Sequence, residues 1–370
     1  MKDRIYICHT YYHAYIAFLK ELALPSAQRG HATLMLSMMS NDFESFPERA
    51  AKTGLWENVI AFDEKEPEYF PEIMEYKKDR GNIVLNMFQR IRFTKLLAAK
   101  EASFIPVNLR EYKDIYVFCD SDPIGYYLNK EKIYYHAVED GLDTLVHSDD
   151  ARIDNRGAFG LKVFLSKKLN LIFIENGYGR YCIDMEVNDI GAIEMPCPYY
   201  KEIPRKQLTD RLTDEDREIL LDAFVRNKAE IENGLANASQ ADERRQKILV
   251  LTDPLCDLET RERLFKDIID FYAAKGQVFI KPHPRDRLDY HKAFSEYPII
   301  DASVPMELLG FIKDVRFDVV VTVYTDLGAI DFAERKVRLG NTFMDKYEDP
   351  EIHNKHMAAG LSQEKDDPLE

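Results

Sequence analysis

A histidine held between two prolines is the first feature of the sequence that could do chemistry. Lys281-Pro282-His283-Pro284 follows the apolar run QVFI, which is typical of a buried strand. Each proline fixes its own φ and restricts the residue before it, so the loop should hold the imidazole of His283 in one place. A fixed imidazole can donate a hydrogen bond or a proton to a leaving phosphate. The alternative is a turn in which the histidine is only structural.

Carboxylates at two other strand ends are candidate bases. Glu139-Asp140-Gly141 follows the strand-like run KIYYHAV, and Asp257 lies in a loop that begins with Thr252 after the run KILVL. A carbohydrate acceptor reacts through a hydroxyl, and a carboxylate within hydrogen-bond reach can take its proton. Thr252 is a candidate hydrogen-bond donor to the substrate. The alternatives are an acidic turn at Glu139 and Asp140, and a helix cap at Asp257.

Two further segments could bind a nucleotide. Glu307 follows Pro305 at the start of a short helix, where its carboxylate could accept hydrogen bonds from ribose hydroxyls. Tyr324 and Thr325 stand where the run FDVVVTV should pass into a helix over 325–334, and the free N–H groups of a helix start bind phosphate. The alternatives are an ordinary first-turn acid at Glu307 and simple N-capping by Thr325.

The sequence offers little support for metal or redox chemistry. We expect the other histidines, among them His9 and His13, to take no part in a metal site, and Glu64 to be an ordinary surface charge. Asp120-Ser121-Asp122 is the nearest approach to the DxD motif of metal-dependent transferases. Neither a P-loop nor a GxGxxG pattern occurs, so ATP hydrolysis and NAD binding have no motif support. We therefore expect no metal and no cofactor.

Composition restricts the class of protein further. The 370 residues suit two domains of ordinary size, and the net charge of −15 opposes a broad nucleic-acid footprint. The five cysteines show no CxxC spacing, which favours reduced thiols in the cytoplasm over disulfides. We expect no secretory signal and no spanning helix. Peripheral association with the inner face of the cytoplasmic membrane, through the acceptor, stays open.

Strands alternate with helices along both halves, which predicts two parallel sheets. The predicted strands are 4–9, 32–38, 58–62, 114–119, 132–138, 247–251, 277–281, 317–323 and 336–339. The predicted helices include 11–24, a mostly helical stretch over 70–104, 259–275, 305–312 and 325–334. We divide the chain into an acceptor-side domain, 1–176, and a nucleotide-sugar domain, 177–370, with a linker that could reach 245. The stretch 70–104 could form a dimer element, giving a homodimer, or a wall beside the acceptor.

The order of the short motifs resembles that of the bacterial sialyltransferases. These enzymes carry an acidic-acidic-Gly motif, here Glu139-Asp140-Gly141, then an HP motif, here His283-Pro284, and a Ser/Thr motif, here at Thr325. Length and order are most similar to glycosyltransferase family 52, the lipooligosaccharide sialyltransferase group. The resemblance implies an α/β protein of the GT-B type, with two Rossmann-like domains whose parallel sheets face a shared cleft.

The resemblance also implies an inverting, metal-independent transfer of sialic acid from CMP-sialic acid to a glycan hydroxyl in lipooligosaccharide or capsule. His283 would assist departure of CMP, Glu307 would hold the nucleoside, and Asp140 or Asp257 would be the base. Tyr324 and Thr325 would occupy the place of the phosphate-binding hydroxyl pair, although the pattern expects two serines there. Lys281, Pro284 and Thr252 would complete the donor-binding set.

Two other functions fit the same residues. One is a GT-B transferase that uses another nucleotide-activated donor to build capsule or teichoic-type polymer. The other is a nucleotide- or glycan-binding protein without catalysis.

Overall fold

The computed structural model describes residues 1–141, 149–226, 228, 231, 246–312, 315–328 and 330–350. The chain divides into two compact units, Met1–Asp216 and Arg217–Glu370. Each unit is an α/β layer structure built around a parallel sheet.

The first unit contains seven strands in the order β3-β2-β1-β4-β5-β6-β7, and every neighbouring pair is parallel. They are β1 (Lys2–Cys8), β2 (Ala32–Ser37), β3 (Asn58–Phe62), β4 (Tyr112–Phe118), β5 (Tyr135–Val138), β6 (Cys182–Val187) and β7 (Tyr200–Glu202). All of β2 and the second half of β1 are buried, as expected for strands covered on both faces. Because strand order reverses at β1, with β2 on one side and β4 on the other, a crevice is expected where β1 and β4 end.

Helices of the first unit connect these strands. They are α1 (Tyr11–Leu22), α2 (Phe46–Lys52), α3 (Pro71–Met74), α4 (Ile83–Glu101), α5 (Pro123–Glu131), α6 (Asp150–Asp154), α7 (Phe159–Val163), α8 (Arg205–Thr209) and α9 (Asp214–Phe224), which crosses into the second unit. Helix α1 begins directly after β1 because the Thr10 side chain accepts a hydrogen bond from the His13 N–H at 3.1 Å. This cap places His9 just before the helix and His13 in its first turn.

The second unit contains four parallel strands in the order β11-β10-β8-β9. They are β8 (Gln246–Leu251), β9 (Gly276–Lys281), β10 (Phe317–Thr322) and β11 (Ala333–Arg338), with helices α10 (Leu258–Ala273), α11 (Tyr290–Ala293) and α12 (Gly340–Met344) and a 3-10 turn at Met306–Phe311. Helix α10 buries Leu264, Phe265, Ile268 and Ile269, a helical stripe that packs on the sheet. Gly276 starts β9 where a Cβ would lie 2.1 Å from the carbonyl oxygen of Gln246, so only glycine fits there.

The two-domain GT-B α/β fold predicted from the sequence is confirmed by these two parallel sheets. The structure divides the chain later than the predicted 176/177 boundary. Strands β6 and β7 pair onto β5, so the first unit extends to Asp216. The last part of the predicted linker, residues 232–245, lies outside the described residues. In the described part of the chain, no helix is both long and apolar enough to cross a membrane.

The predicted helix over 325–334 is wrong. No helix forms among residues 325–328 and 330–334, and β11 already begins at Ala333. The physical reason is a competing partner for the polar groups that would start such a helix, the buried carboxylate of Asp253, described below. The rest of the second series follows the prediction closely, with β8, α10, β9 and β10 in the expected order.

Candidate active site

Five side chains meet where the central strands of the first sheet end. We call His9, His13, Glu64, Asp122 and Asp140 the histidine cluster. The Nε2 atom of His9, which follows β1, lies 2.8 Å from Oε2 of Glu64 and 3.4 Å from Oδ2 of Asp122. Glu64 follows β3 and Asp122 follows β4, so the ends of β1, β3 and β4 bring these groups to one edge of the sheet, with β2 lying between β3 and β1. This edge contains the crevice between β1 and β4.

The carboxylate of Glu64 is held by His9, by Ser37 and by the backbone of Ile124. Its Oε2 accepts a hydrogen bond from Ser37 Oγ at 2.6 Å, and its Oε1 accepts one from the Ile124 N–H at 2.9 Å. The residue is only 1% exposed, so the expectation that it is a surface charge is wrong. A buried carboxylate persists when it is paired and hydrogen-bonded, and the partners of Glu64 supply both conditions.

The ionisation states of His9, Glu64 and Asp122 depend on their burial and on one another's charges. Burial alone would lower the pKa of His9, but Glu64 and then Asp122 outweigh burial and raise it to about 9. Burial acts to raise the pKa of Glu64, but the charge and hydrogen bond of His9 outweigh it and lower that pKa. Burial raises the pKa of Asp122 to about 7, with His9 opposing. At neutral pH the His9–Glu64 pair is therefore ionic, and Asp122 is close to its midpoint.

Asp140 is held by a second histidine. Its Oδ1 atom lies 2.6 Å from Nε2 of His13 and accepts a hydrogen bond from the Cys119 thiol at 2.8 Å. Nδ1 of His13 accepts the His9 N–H at 3.1 Å, so the neutral ring carries its proton on Nε2 and donates it to Asp140. The hydrogen bond from His13 is the largest cause that lowers the pKa of Asp140, to about 2. The Asp140 side chain remains 50% exposed, so it is ionised, oriented and accessible.

His13 itself is fully buried and fixed. Its ring stacks on Phe118 with the centroids 4.9 Å apart, and burial lowers its pKa. Nε2 of His13, Sγ of Cys119 and Oδ1 of Asp140 lie within 4.8 Å of one another, close enough to share a metal ion. A metal would need a lone pair on Nε2, whereas the bond from the His9 N–H to Nδ1 leaves Nε2 protonated. The arrangement therefore fits a hydrogen-bonded trio better than a metal centre.

Glu139 points away from this group. Its Oε1 accepts hydrogen bonds from the Asn188 N–H at 2.8 Å and from Arg205 Nη2 at 3.2 Å, and the residue is 2% exposed. The buried ion pair links the end of β5 to α8. Of the two acids predicted as candidate bases at this strand end, the structure makes Asp140 accessible and uses Glu139 in the interior.

In the second unit, the proline-flanked loop fixes His283 as the sequence suggested. The backbone N–H of His283 donates to Thr252 Oγ1 at 3.0 Å, and Nδ1 accepts the Arg285 N–H at 3.1 Å. The proton of the neutral ring is therefore on Nε2, which can donate to a ligand oxygen. Burial, then the charge of Arg285, lower the pKa of the half-buried His283. A neutral imidazole with a defined N–H donor results.

Thr252 supports this loop. It is 1% exposed, and its hydroxyl donates to Asp286 Oδ2 at 3.2 Å. Asp286 is anchored in turn by Arg261, whose Nη1 lies 2.5 Å from Oδ1. Thr252 therefore positions the loop. Its hydroxyl was predicted to donate a hydrogen bond to a substrate, but in the structure that hydrogen is donated to Asp286.

Lys281, Pro284 and Glu307 are three further residues of the second unit that were predicted to bind the donor. Lys281 is buried, and its ammonium donates to the carbonyls of Pro282 at 3.1 Å and Ala302 at 3.0 Å. Burial lowers the pKa of Lys281 to about 8, with the charges of Asp301 and Glu307 opposing. Burial raises the pKa of Glu307, which sits half-buried in the 3-10 turn, while Pro284 is exposed.

Asp253, which the sequence analysis missed, organises the end of β10. Its Oδ2 accepts hydrogen bonds from Thr322 Oγ1 at 2.8 Å and from the Tyr324 N–H at 3.1 Å, and its Oδ1 accepts one from Thr325 Oγ1 at 2.6 Å. The hydroxyl of Tyr324 donates to Asn341 at 2.8 Å. The donors predicted to bind phosphate are thus engaged by a carboxylate that is 6% exposed, and the predicted helix start is absent.

Asp257 takes the role of a helix cap. Its Oδ1 accepts the Thr260 N–H at 3.0 Å at the start of α10, and this bond lowers the pKa of the exposed carboxyl. Of the two carboxylates left open as base, Asp140 is held by hydrogen bonds from His13 and Cys119 and remains accessible. The surroundings of Asp257 are ordinary for an N-cap.

The sequence did contain signals for the missed residues. His9 and His13 are four positions apart in HTYYH, directly after the first strand, and Thr10 between them caps the helix. Such spacing places both imidazoles at the same end of one helix. Glu64 and Asp253 likewise follow strands, but partner side chains far away in sequence decide their burial, and no local pattern reveals those partners.

Comparison with known proteins gives a family for this arrangement. A model of glycosyltransferase family 52 matches residues 66–336. An uncharacterized protein of Haemophilus influenzae is 34% identical over 97 residues, which are 25% of this chain and 31% of that protein. The match therefore spans about a third of the length of the curated relative.

Solved structures similar to this chain include two from Photobacterium. An α/β-galactoside α-2,3-sialyltransferase of Photobacterium phosphoreum has a TM-score of 0.49 and 14% identity, covering 91% of this chain and 90% of that one. The GT-B domain of a Photobacterium damselae sialyltransferase has a TM-score of 0.49 and 13% identity, with coverage of 91% and 90%. A UDP-GlcNAc 2-epimerase of Neisseria meningitidis has a TM-score of 0.42 and 10% identity, covering 91% and 82%. At such low similarity these structures leave the substrate open.

Proposed function

The chain belongs to glycosyltransferase family 52, and we propose that it transfers sialic acid from CMP-sialic acid to a hydroxyl of a glycan acceptor, with inversion at the anomeric carbon. The single observation that carries the proposal is the carboxylate of Asp140, held ionised by the buried His13 at the switch point of the first sheet. An ionised, oriented carboxylate within hydrogen-bond reach of an attacking hydroxyl can accept its proton.

In the proposed reaction, the acceptor oxygen forms a bond to the anomeric carbon while the bond from that carbon to the CMP phosphate oxygen breaks. The hydroxyl proton passes to Asp140. The leaving phosphate accepts a hydrogen bond from Nε2 of His283, whose Nδ1 is occupied by the Arg285 N–H. Attack from the face opposite the leaving group inverts the anomeric centre. The proposal assigns no step to a metal or a cofactor, and its partners are the nucleotide sugar and the acceptor glycan.

One observation favours another nucleotide sugar as the donor. Tyr324 and Thr325 stand where two small hydroxyl residues would be expected, and Asp253 engages the N–H of the first and the hydroxyl of the second. A donor with a different phosphate group, as in the synthesis of capsule or teichoic-type polymer, is the second candidate.

Nucleotide release from a panel of CMP-, UDP- and CDP-activated sugars tests the proposal. The expected result is release of CMP from CMP-sialic acid, stimulated by a glycan acceptor, with no comparable release from UDP or CDP donors. Release from another donor alone would replace sialic acid by that sugar and leave the family assignment intact. Binding of nucleotide, seen as a raised melting temperature, without release from any donor would instead indicate a binding protein.

A further inference from the structure

A cavity of about 560 Å³, lined by polar and apolar side chains, lies within the first unit, apart from the residues assigned so far. Its walls come from α4, from the start of α5 and from the segment around Glu175, and they include Tyr76, Arg90, Phe93, Ser121, Asn155 and Glu175. Sites for small ligands typically enclose roughly 300 to 1,000 Å³. The cavity is therefore large enough for one or two sugar rings.

Asn155 provides the clearest sign that the cavity binds something. The residue is 2% exposed, and its Nδ2 donates to the Ala151 carbonyl at 2.7 Å. Its Oδ1 has no hydrogen-bond partner in the described part of the chain. A buried acceptor without a donor costs about 1–3 kcal/mol, so a ligand that supplies a donor to this oxygen would recover that free energy.

The other groups define the chemistry of such a ligand. Oε1 of Glu175 lies 3.5 Å from Asn155 Nδ2, and burial raises the pKa of Glu175 to about 7. Phe93 and Tyr126 form an aromatic wall, edge to face, with ring centroids 6.2 Å apart. The amide oxygen of Asn155 and the carboxyl group of Glu175 can accept hydrogen bonds from the hydroxyls of a sugar, and the aromatic rings can pack against its apolar face.

Charge argues against a charged ligand. Lys77, Lys78 and Arg90 line the cavity together with Asp79, Asp154 and Glu175, so three basic and three acidic groups nearly balance. An amine would meet the three cations and a phosphate would meet the three acids. A neutral, hydroxyl-rich ligand avoids both conflicts.

Position connects the cavity to the histidine cluster. Ser121 lines the cavity and directly precedes Asp122, whose Oδ2 lies 3.4 Å from His9 Nε2. Resting on the proposed function, we propose that this cavity holds an uncharged sugar residue of the acceptor glycan and so selects the acceptor. A glycan seated there would reach the sheet edge at which Asp140 is held by His13.

Substitution of Asn155 tests the inference. With saturating CMP-sialic acid, Asn155→Ala should raise the acceptor KM about tenfold, the effect of losing one hydrogen bond of roughly 1.4 kcal/mol, with a smaller change in kcat. The matched control is Asn129→Ala. Asn129 is also buried in the first unit, its Oδ1 has no hydrogen-bond partner among the described residues, and it does not line the cavity. An unchanged KM in Asn155→Ala, or an equal rise in both variants, would overturn the inference.

Two further measurements keep the test decisive. Ser121→Trp places a bulky ring at an exposed wall position, so it should raise the acceptor KM without loss of folding even if Asn155→Ala unfolds. Saturation-transfer NMR with lactose and with the methyl glycosides of galactose and N-acetylglucosamine needs no donor. Binding of a glycoside by the wild type that is lost in Ser121→Trp would support the cavity even if no nucleotide sugar is cleaved. Equal binding by both proteins would overturn it.

Discussion

Nε2 of His13 lies 2.6 Å from Oδ1 of Asp140, although the two residues are 127 positions apart in the chain. Because Nδ1 of the same ring accepts the His9 N–H, His13 acts on Asp140 only as a hydrogen-bond donor. His13 therefore orients the carboxylate of Asp140 and keeps it ionised to lower pH. Mutation can separate these two effects.

Replacement of His13 should move the acid limb of the pH–rate profile. His13→Phe keeps a ring beside Phe118 but removes the donor that holds the pKa of Asp140 at about 2. The pKa of Asp140 should then rise toward its ordinary value of about 3.9, so activity should be lost at a higher pH on the acid side. We also expect kcat to fall about 10- to 100-fold at pH 7 because the carboxylate is no longer oriented. An unchanged acid limb would show that His13 only fills space.

Loss of the His283 imidazole should slow the reaction while the protein stays folded. For His283→Ala we expect kcat to fall on the order of 10² to 10⁴. The exposed His291, in the same unit, offers the control His291→Ala, which should keep the wild-type rate. Circular dichroism and the melting temperature of both variants separate catalysis from folding, and near-full activity of His283→Ala would contradict the role.

The ion pair of His9 and Glu64 should make stability depend on pH. The pKa of His9 is raised to about 9 from an unfolded value near 6.5, so the folded state binds the proton more tightly. This stabilisation is complete below pH 6.5 and is lost as the pH rises through 9, and it amounts to about 3 kcal/mol. Glu64 adds stability above its unfolded pKa, which is lost at acid pH because its folded pKa is lowered.

Urea unfolding of the wild type and of His9→Gln at pH 6.5 and pH 9.5 checks this sign. The difference in unfolding free energy between the two proteins should be large at pH 6.5 and should shrink at pH 9.5. A difference that does not change with pH, or that grows at alkaline pH, would mean that His9 is not charged in the folded protein.

The buried carboxylate of Asp253 should be needed for the second unit to keep its structure. Asp253→Ala leaves Thr322, Tyr324 and Thr325 without their acceptor, so we expect a loss of about 3 kcal/mol of unfolding free energy. Asp326→Ala is the control in the same loop, because Asp326 is exposed and accepts only the Gly328 N–H at 2.9 Å among the contacts seen. Thermal unfolding should distinguish the two, and equal melting temperatures would contradict the importance of Asp253.

The strands and the residues at their ends could be predicted from the sequence, because neighbouring residues determine them. Apolar runs followed by helical patterns predicted the strands of both sheets, because a strand buried on both faces leaves a continuous apolar run. Asp140 and His283 were found because each lies two residues after a predicted strand, and the carboxyl ends of parallel strands are where α/β proteins build their sites.

The missed features depend on partners that are distant in sequence. Asp253 and Thr325 are 72 positions apart, yet their hydrogen bond contributes to the loss of the helix that Thr325 was expected to cap. Glu64 looked like one more acid in an acidic chain, and only its contacts with His9 and Ser37 show that it is buried. Asp257, by contrast, is explained by its own neighbours, since it caps the helix that follows it.

The most direct test of the account is single-turnover transfer from CMP-sialic acid to lactose, measured for Asp140→Asn beside Asp257→Asn. The two substitutions remove one carboxylate charge each and are nearly isosteric, so they compare the two candidate bases on equal terms. The account predicts that Asp140→Asn loses at least about 10² of the transfer rate, while Asp257→Asn changes it less than about threefold. Full transfer by Asp140→Asn, or a greater loss in Asp257→Asn, would contradict it.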